Sequence, residues 1–313
     1  MSNLLTVERH EAKVKAIVTA HSALALNAGD SRVSDATRMV EFSSEAAVYR
    51  AAKQACLTLG FIEIDAECIA HAWQHLFERT GQFNAEDWPD QASDFGMRPW
   101  PRSDAFAACP KKLGLYAVLP DAAWVARMAR AGVPTLQLRF KSDNVHAIEQ
   151  EVRAAVQAVQ GTDALLFIND HWQAAIAAGA YGVHLGQEDM ADADLQTIRT
   201  AGLRLGLSSH GYVEMLRADA FSPSYIAMGA VFPTTLKRML TAPQGTGRLH
   251  AYARLMRDYP LVAIGGIDSR NMQDVLASGV CSVAVVRALV AAENPEEMAA
   301  SLQAAINANS YSD

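Results

Sequence analysis

Cysteine is scarce in this chain of 313 residues, which has Cys56, Cys68, Cys109 and Cys281 and no others. So few cysteines cannot form the disulfide framework of a small secreted domain. Positive charge is also in the minority: the formal net charge of −7 argues against a nucleic-acid-binding surface, which is usually basic. With 50% hydrophobic and 19% charged residues, the composition is that of a globular chain able to bury a large core.

Long apolar runs are missing from the N-terminal region. Residues 1–15 contain Glu8, Glu11 and several basic residues, without the continuous apolar stretch of a targeting signal. The stretch from Ala16 to Ala28 is interrupted by polar residues and is too short to cross a bilayer. We therefore expect a cytoplasmic protein with no membrane partner.

The sequence also lacks the motifs of several large enzyme classes. There is no Walker A sequence, no G-x-G-x-x-G after a strand, no G-x-S-x-G and no H-E-x-x-H. ATPases, dinucleotide-dependent oxidoreductases, serine hydrolases and zincins are therefore unsupported. Cys68, His71 and His75 share one face of a predicted helix at a spacing that could bind zinc. No fourth ligand is evident, and such residues are common at helix interfaces, so we favour a structural role.

Helical periodicity dominates the first third of the chain. Alanine, glutamate, lysine and leucine recur with helical spacing in three segments, 4–26, 45–59 and 66–79. The sequence Phe-Ile-Glu-Ile at 61–64 is compatible with a short strand. Prolines and tryptophans punctuate residues 82–112, which predicts an irregular linker that packs poorly. We therefore expect a helical extension and linker over residues 1–107 and a second domain over 108–313.

From Leu113 onward, apolar runs alternate with amphipathic stretches. The runs are LGLYAVL, TLQLRFK, ALLFIND, GVHLGQE, LRLGLSS, YIAMGAV, LVAIGGI and SVAVVRA. Continuous apolar runs are typical of strands buried on both faces of a parallel sheet. The predicted helices cover 122–131, 144–159, 172–178, 194–201, 212–220, 249–258, 271–277 and 295–309. Eight such units predict an α/β fold, a (β/α)8 barrel, rather than the alternative of an open doubly wound sheet.

Polar residues cluster where the predicted strands end, which is where barrel enzymes carry their chemistry. Gln137, Arg139 and Lys141 alternate on the second strand and therefore share one face. Such a face is suited to an anion, although a frayed, solvated strand end would look the same. Asp170 follows the third strand and Asp189 follows the fourth. Carboxylates at neighbouring strand ends can bind Mg²⁺, and the alternative for each is a helix N-cap.

The later strands also end in small, hydroxylated or cationic residues. The fifth ends at Ser208-Ser209-His210, and the sixth at Pro233-Thr234-Thr235-Leu236-Lys237. Gly265 and Gly266 follow the seventh, where backbone can approach a ligand closely. This pattern predicts a phosphate site late in the barrel. His184, inside the fourth strand, is interpreted as a core histidine.

Taken in order, these motifs resemble the thiamine-phosphate synthase family over residues 113–310. The resemblance rests on LGLYAVL, QLRFK, FINDHWQAAI, YGVHLGQEDM, LGLSSH, VFPTTLK, Gln244-Gly245, VAIGGI and VAVVRAL. It implies a barrel enzyme that joins 4-amino-2-methyl-5-(diphosphooxymethyl)pyrimidine to a carboxythiazole phosphate, releasing diphosphate and CO₂. Because a thiazole nitrogen would attack, no general base or covalent nucleophile is required.

The same resemblance assigns the site residues and the cofactor. The pyrimidine diphosphate would be bound by Gln137, Leu138, Arg139, Phe140, Lys141, Asn169, Ser208 and Lys237. The thiazole phosphate would be bound by Thr234, Thr235, Leu236, Gly266, Val286 and Arg287. Mg²⁺ would be bound by Asp170 and Asp189. Stabilisation of the leaving group would fall to Arg139, Lys141, Lys237 and Ser208 together with the metal.

Two residues depart from the family pattern, and both belong to the thiazole-phosphate half. Leu236 stands where the family usually has a threonine, and Arg287 stands where it often has a serine. The alternatives are a thiazole tautomerase-like barrel and a non-catalytic regulatory protein that binds a thiamine precursor. We expect small-molecule substrates and no nucleic acid, and a homo-oligomer stays open.

Overall fold

Eight parallel strands close into a barrel in the computed structural model, which describes residues 2–26, 40–234 and 241–309. Each strand pairs with the next along the chain, and β8 pairs with β1. The predicted barrel is therefore confirmed, and the open sheet is wrong. The strands are β1 Gly114–Leu119, β2 Thr135–Leu138, β3 Leu165–Asn169, β4 Gly182–Leu185, β5 Arg204–Ser209, β6 Tyr225–Met228, β7 Leu261–Ile264 and β8 Ser282–Val285.

Large side chains fill the inside of the barrel. Tyr116 of β1, Phe167 of β3 and Tyr225 of β6 are buried there with Val118 and Val262. Alternate residues of the same strands face outward and pack against the surrounding helices. The interior is therefore a packed core, and ligands must bind at one end of the barrel.

Helices surround the barrel at close to the predicted positions. They are α4 Ala122–Arg130, α5 Val145–Ala158, α6 Trp172–Ala178, α7 Asp189–Asp192, α8 Leu195–Thr200, α9 Tyr212–Ala220, α10 Gly245–Leu255, α11 Met272–Leu276, α12 Arg287–Val290 and α13 Pro295–Asn309. The short helices α7 and α12 are not evident in the sequence pattern, because four residues are too few to show a period.

Within residues 2–26 and 40–107, the N-terminal extension contains the helices α1 Ser2–Ala20, α2 Ala47–Thr58 and α3 Glu63–Thr80. A 3-10 turn at Ser22–Leu24 follows α1. The strand predicted at 61–64 is wrong, since α3 begins at Glu63 with acidic residues in its first turn, which favour a helix N-terminus. In the described ranges, no helix is long and apolar enough to cross a membrane.

The segment 82–112 is irregular, as predicted, apart from a 3-10 turn at Ala92–Phe95. The expectation that it packs poorly is wrong. Arg102 is buried and donates hydrogen bonds to the carbonyl and the carboxylate of Asp219 at 2.7 and 2.8 Å. Phe106 N donates to Ser222 O at 3.0 Å. Proline therefore marks irregular backbone in this segment, and that backbone is firmly attached to the barrel.

The extension shares one hydrophobic core with the outer face of the barrel. Arg248 of α10 is central to the contact, because its Nε and Nη2 donate to Leu24 O and Leu59 O, both at 2.9 Å. Its guanidinium also lies 3.7 Å from the ring centroid of Phe61. The domain boundary near residue 107 stays a prediction, but the two parts are in intimate contact.

Candidate active site

Alternating residues of β2 and of the segment that directly follows it run from the barrel interior to its rim. Gln137 is buried and its Nε2 donates to Tyr116 Oη at 3.0 Å. Arg139 is half-buried, and Lys141 is exposed. Leu138 packs outward in the helix-covered core, with Phe140 partly buried beside it. The two cations therefore lie at the open end of the barrel, where an anionic group can reach them.

Asp170 and Asp189 meet at the ends of β3 and β4. Their carboxylates lie within hydrogen-bonding distance of each other. Neither residue is the N-cap of its helix, since that position belongs to His171 in α6 and Glu188 in α7. The alternative interpretation of both as simple helix caps is therefore wrong. Asp170 has a left-handed backbone, with φ of 63°.

The electrostatics of this pair favour a cation. Burial raises the pKa of Asp170, and the negative charge and hydrogen bond of Asp189 raise it further. His171 and Arg139 act in the opposite direction. Asp189 is itself oriented, because Gly186 N donates to its Oδ2 at 3.2 Å. A divalent cation between the two carboxylates would relieve their repulsion.

Magnesium suits this donor set better than zinc. Mg²⁺ is often bound by one or two carboxylates together with water and substrate phosphates. Among the described residues, no group of three His, Cys, Asp or Glu side chains could hold a metal. The zinc hypothesis for Cys68, His71 and His75 is therefore wrong. His71 Nε2 instead contacts Glu67 at 3.0 Å, and His75 Nδ1 contacts the Asp94 carbonyl at 2.7 Å.

A hydrogen-bonded chain crosses the barrel behind the predicted site. Ser208 Oγ contacts His184 Nε2 at 2.8 Å, and His184 Nδ1 contacts Tyr225 Oη at 2.7 Å. Tyr225 Oη lies 2.6 Å from Tyr116 Oη, which also accepts from Gln137. Burial raises the pKa of both tyrosines, so they remain protonated. His184 is thus a buried, hydrogen-bonded histidine, as predicted, and it links two predicted site residues, Ser208 and Gln137.

The two tyrosines are absent from the sequence-based site. The available signal was their position: each occupies an inward-facing place on a strand and carries a hydroxyl that needs a partner once buried. Asn169 is the last residue of β3 and is half-buried, directly before Asp170. The ends of β2, β3, β4 and β5 therefore form one polar surface.

The β6 and β7 ends adjoin through backbone contacts. Val231 N donates to Ile264 O at 3.0 Å, and Phe232 N donates to Gly265 O at 2.9 Å. Gly265 and Gly266 have φ of 107° and 66°. A Cβ on Gly266 would lie 2.6 Å from the carbonyl of Pro233. These glycines therefore permit close approach of the neighbouring loop, and whether they also approach a ligand stays a prediction.

The remaining predicted residues differ in their exposure, and some of them lie outside the part of the chain that the structure describes. Thr234 is half-buried at the end of the β6 loop. Val286 is half-buried at the N-cap of α12, and Arg287 is exposed at the first position of that helix. The predicted residues Thr235, Leu236 and Lys237 lie outside the described residues. Of the residues predicted to bind the thiazole phosphate, the structure therefore describes Thr234, Gly266, Val286 and Arg287.

Comparison with known proteins bears directly on this site. The sequence profile described as thiamine monophosphate synthase matches residues 115–289. The chain belongs to this family. It is 53% identical over 199 residues to the thiamine-phosphate synthase of Neisseria meningitidis serogroup A, covering 64% of this chain and 97% of that protein. Identity to the Salmonella agona thiamine-phosphate synthase is 49%, with 64% of this chain and 94% of that protein covered.

A solved structure of the same family supports the barrel assignment. The thiamine phosphate pyrophosphorylase from Pyrococcus furiosus is 28% identical, with a TM-score of 0.57, and the match covers 64% of this chain and 98% of that one. The resemblance identified from the motifs is therefore confirmed. The family profile begins at residue 115, so the helical extension lies outside the matched region.

Proposed function

We propose that the chain synthesises thiamine phosphate from the pyrimidine diphosphate and the carboxythiazole phosphate, with Mg²⁺ bound at Asp170 and Asp189. The observation that carries this proposal is the carboxylate pair beside Arg139 at adjoining strand ends. A pair of anions next to a cation suits a metal–diphosphate complex, in which opposite charges alternate. The curated relatives are thiamine-phosphate synthases by name, which supports the same activity.

The reaction begins when the bond between the pyrimidine methylene carbon and the diphosphate oxygen breaks. The electron pair leaves with the diphosphate, and the thiazole nitrogen supplies the pair for the new carbon–nitrogen bond. The carboxylate of the thiazole departs as CO₂, and its electron pair remains on the ring, where a proton replaces it. Mg²⁺, when bound, would offset the charge of the leaving diphosphate.

The side chains that would act on the pyrimidine half come from β2, β3 and β5. Arg139 and Lys141 would neutralise the departing oxygens, with Lys237 added on the sequence resemblance. Asn169 and Gln137 supply amide groups, and Ser208 supplies a hydroxyl. Leu138 and Phe140 would contribute mainly through the backbone, because their side chains pack in the outer core.

The thiazole phosphate would bind across the ends of β6, β7 and β8. The resemblance assigns Thr234, Thr235, Leu236, Gly266, Val286 and Arg287 to it. Phosphate sites late in a barrel commonly use backbone N–H groups at a short helix, and α12 begins immediately after β8. The cytoplasmic location stays a prediction from the sequence, and a homo-oligomeric state stays open.

The test is product formation from the two purified substrates, with and without Mg²⁺. We expect Asp170→Ala or Asp189→Ala to lower turnover at least about a hundredfold, equivalent to about 2.7 kcal/mol of transition-state stabilisation. Asp192→Ala is the matched control, because this exposed carboxylate also lies in α7 and is not at a strand end. Its turnover should equal that of the wild type.

Three results would contradict the proposal. They are full activity in excess chelator, unchanged rates in the two Asp→Ala variants, or no product from the wild type. A barrel that isomerises a thiazole phosphate without needing diphosphate would indicate the tautomerase alternative. Tight binding of a substrate without turnover would indicate the regulatory alternative.

A further inference from the structure

Helix α9 begins at Tyr212, shortly after the end of β5, the strand that contains Ser208, and its N-cap residue is Gly211. Glycine has no side chain to accept hydrogen bonds from the first N–H groups of a helix. Asp65 of α3 provides the acceptor instead: its Oδ1 accepts from Val213 N at 2.9 Å, and its carboxylate also accepts from the N–H of Tyr212. The first turn of α9 is therefore capped by the N-terminal extension.

Gly211 leaves room for this carboxylate. Its φ of −177° is ordinary extended backbone, so glycine is not required for the chain conformation. A Cβ there, however, would lie 2.1 Å from Asp65 Oδ2. Asp65 is buried, with 4% of its surface exposed. The contact between the buried Asp65 carboxylate and the N-terminus of α9 therefore joins the extension to the barrel specifically.

Aromatic residues of the extension and the following segment enclose the same turn. Trp88 Nε1 donates to Tyr212 Oη at 2.8 Å. The ring of Phe95 stacks on Tyr212 with centroids 5.4 Å apart, and Phe61 meets it edge-on at 6.1 Å. Tyr212 is fully buried as a result. The first turn of α9 is thus held both by hydrogen bonds and by packing.

The capped turn is close in sequence to the polar surface at the strand ends. Ser208 contacts His184 through its hydroxyl, and its carbonyl accepts from Gln187 Nε2 at 2.7 Å. Three residues later the chain reaches Gly211. Because β5 ends at Ser209, only His210 and Gly211 separate this strand from the first turn of α9, so the position of that turn constrains the end of β5.

We propose that Asp65 is a positioning residue for the synthase reaction, because it caps α9 and thereby fixes the end of β5 at Ser208. This inference rests on the proposed function, in which Ser208 belongs to the pyrimidine half of the site. Loss of the cap should then affect the binding of the two substrates differently. The pyrimidine diphosphate is affected, and the thiazole phosphate, assigned to β6, β7 and β8, is not.

The first experiment compares steady-state constants for both substrates in Asp65 variants of the full chain. Asp65→Ala should lower kcat/KM for the pyrimidine diphosphate about tenfold, within the loss that a small misplacement causes, while KM for the thiazole phosphate stays unchanged. Asp65→Asn keeps one acceptor oxygen and should recover most of the loss. Glu67→Ala is the control, because Glu67 lies on the same helix but contacts Lys53 and Tyr49 of α2. Both of its kinetic constants should match the wild type.

The second experiment uses the steric relation between Asp65 and Gly211. Gly211→Ala places a Cβ against the carboxylate and should also lower kcat/KM for the pyrimidine diphosphate. Adding Asp65→Ala removes that clash, so the double variant should be no worse than Asp65→Ala alone. Additive losses, or wild-type constants in Asp65→Ala, would overturn the proposal. The proposal would also be overturned if Asp65→Ala raised the KM for the thiazole phosphate as much as that for the pyrimidine diphosphate, because this would indicate general destabilisation.

Hydrogen exchange keeps the inference separable from the proposed function. The amides of Tyr212 and Val213 should exchange about tenfold faster in Asp65→Ala than in the wild type, since a lost cap weakens the first helical turn. Unchanged exchange would overturn the capping role whatever the enzyme activity. If the wild type makes no thiamine phosphate but these amides exchange faster in Asp65→Ala, the proposed function is refuted and the capping role of Asp65 still holds.

Discussion

Arg248 offers the sharpest test of how the extension is attached to the barrel. It is 2% exposed, and its donors reach Leu24 O and Leu59 O of the extension at 2.9 Å and Gln244 Oε1 at 3.1 Å. Burial lowers its pKa, but the guanidinium remains charged because its ordinary pKa is so high. Arg248→Met keeps a long apolar side chain and removes every donor.

The expected loss follows from these contacts. Each hydrogen bond from a charged donor contributes about 1.5–3 kcal/mol, so the two contacts to the extension carry about 3–6 kcal/mol. Methionine avoids the cost of burying a guanidinium, which offsets part of this loss. Leu59 O also retains a second donor, Leu26 N at 3.2 Å. We therefore expect Arg248→Met to lower the free energy of unfolding by about 3 kcal/mol, near the lower bound.

The assay is urea denaturation followed by both far-ultraviolet circular dichroism and tryptophan fluorescence. Trp73 and Trp88 report on the extension and the segment after it. Arg254→Met is the matched control: Arg254 also lies on α10 and pairs with Asp90, but it is 56% exposed. Exposed ion pairs contribute about 0–1 kcal/mol, so this variant should lose less than 1 kcal/mol. Equal effects of the two substitutions would refute the reasoning.

Three further predictions concern the domain boundary, the thiazole half and pH. A fragment beginning at Ala105 should fold, because the 199 matched residues cover 97% of the Neisseria meningitidis relative. It should be less stable and less active than the full chain, and a wild-type melting temperature and kcat/KM would contradict this. If the Arg287 guanidinium replaces the hydroxyl missing at Leu236, Arg287→Ala should weaken thiazole-phosphate binding by about 1.5–3 kcal/mol. Adding Leu236→Thr to this variant should restore part of the lost binding. Equal KM values for the thiazole phosphate in wild type and Arg287→Ala would exclude the role. Burial raises the pKa of Glu67, but hydrogen bonds from Lys53, Ser43 and Tyr49 outweigh it and lower the pKa to about 2. Because the pKa of Glu67 is lower in the folded state than its ordinary value of 4.5, its ionised carboxylate stabilises the fold above that pH. In urea titrations, the difference in unfolding free energy between wild type and Glu67→Gln should be constant above about pH 5.5 and shrink towards pH 2. A difference that is independent of pH would contradict this prediction.

Much of the barrel and its site could be predicted from the sequence, because both follow local rules. Parallel strands buried on both faces appear as continuous apolar runs, and alternation places Gln137 and Arg139 on one face. The strand-end rule then brings Asp170 and Asp189 together although they are distant in sequence. None of these steps requires knowledge of how side chains meet across the barrel.

The chain of hydroxyls could not be predicted in the same way. Tyr116 and Tyr225 meet through their hydroxyl groups across the barrel interior, on strands that are not neighbours in the sheet. This contact depends on the tilt and stagger of the strands in the closed barrel, which cannot be read from the sequence of any single strand. The strand sequences show only two large aromatic residues within apolar runs.

Attachment of the extension left no sequence signal for a related physical reason. Asp65 accepts from the backbone N–H of Val213, and Arg248 donates to the backbone carbonyls of Leu24 and Leu59. Every residue except proline offers both groups, so the partner position can hold almost any amino acid and no complementary charge appears in the sequence. The prolines in residues 82–112 therefore predicted a linker that packs poorly. The two contacts fall on α9 and α10, the helices that follow β5 and β6, which is where the proposed pyrimidine and thiazole halves of the site adjoin. The extension is therefore attached to the outer helices that lie between the two proposed halves of the site.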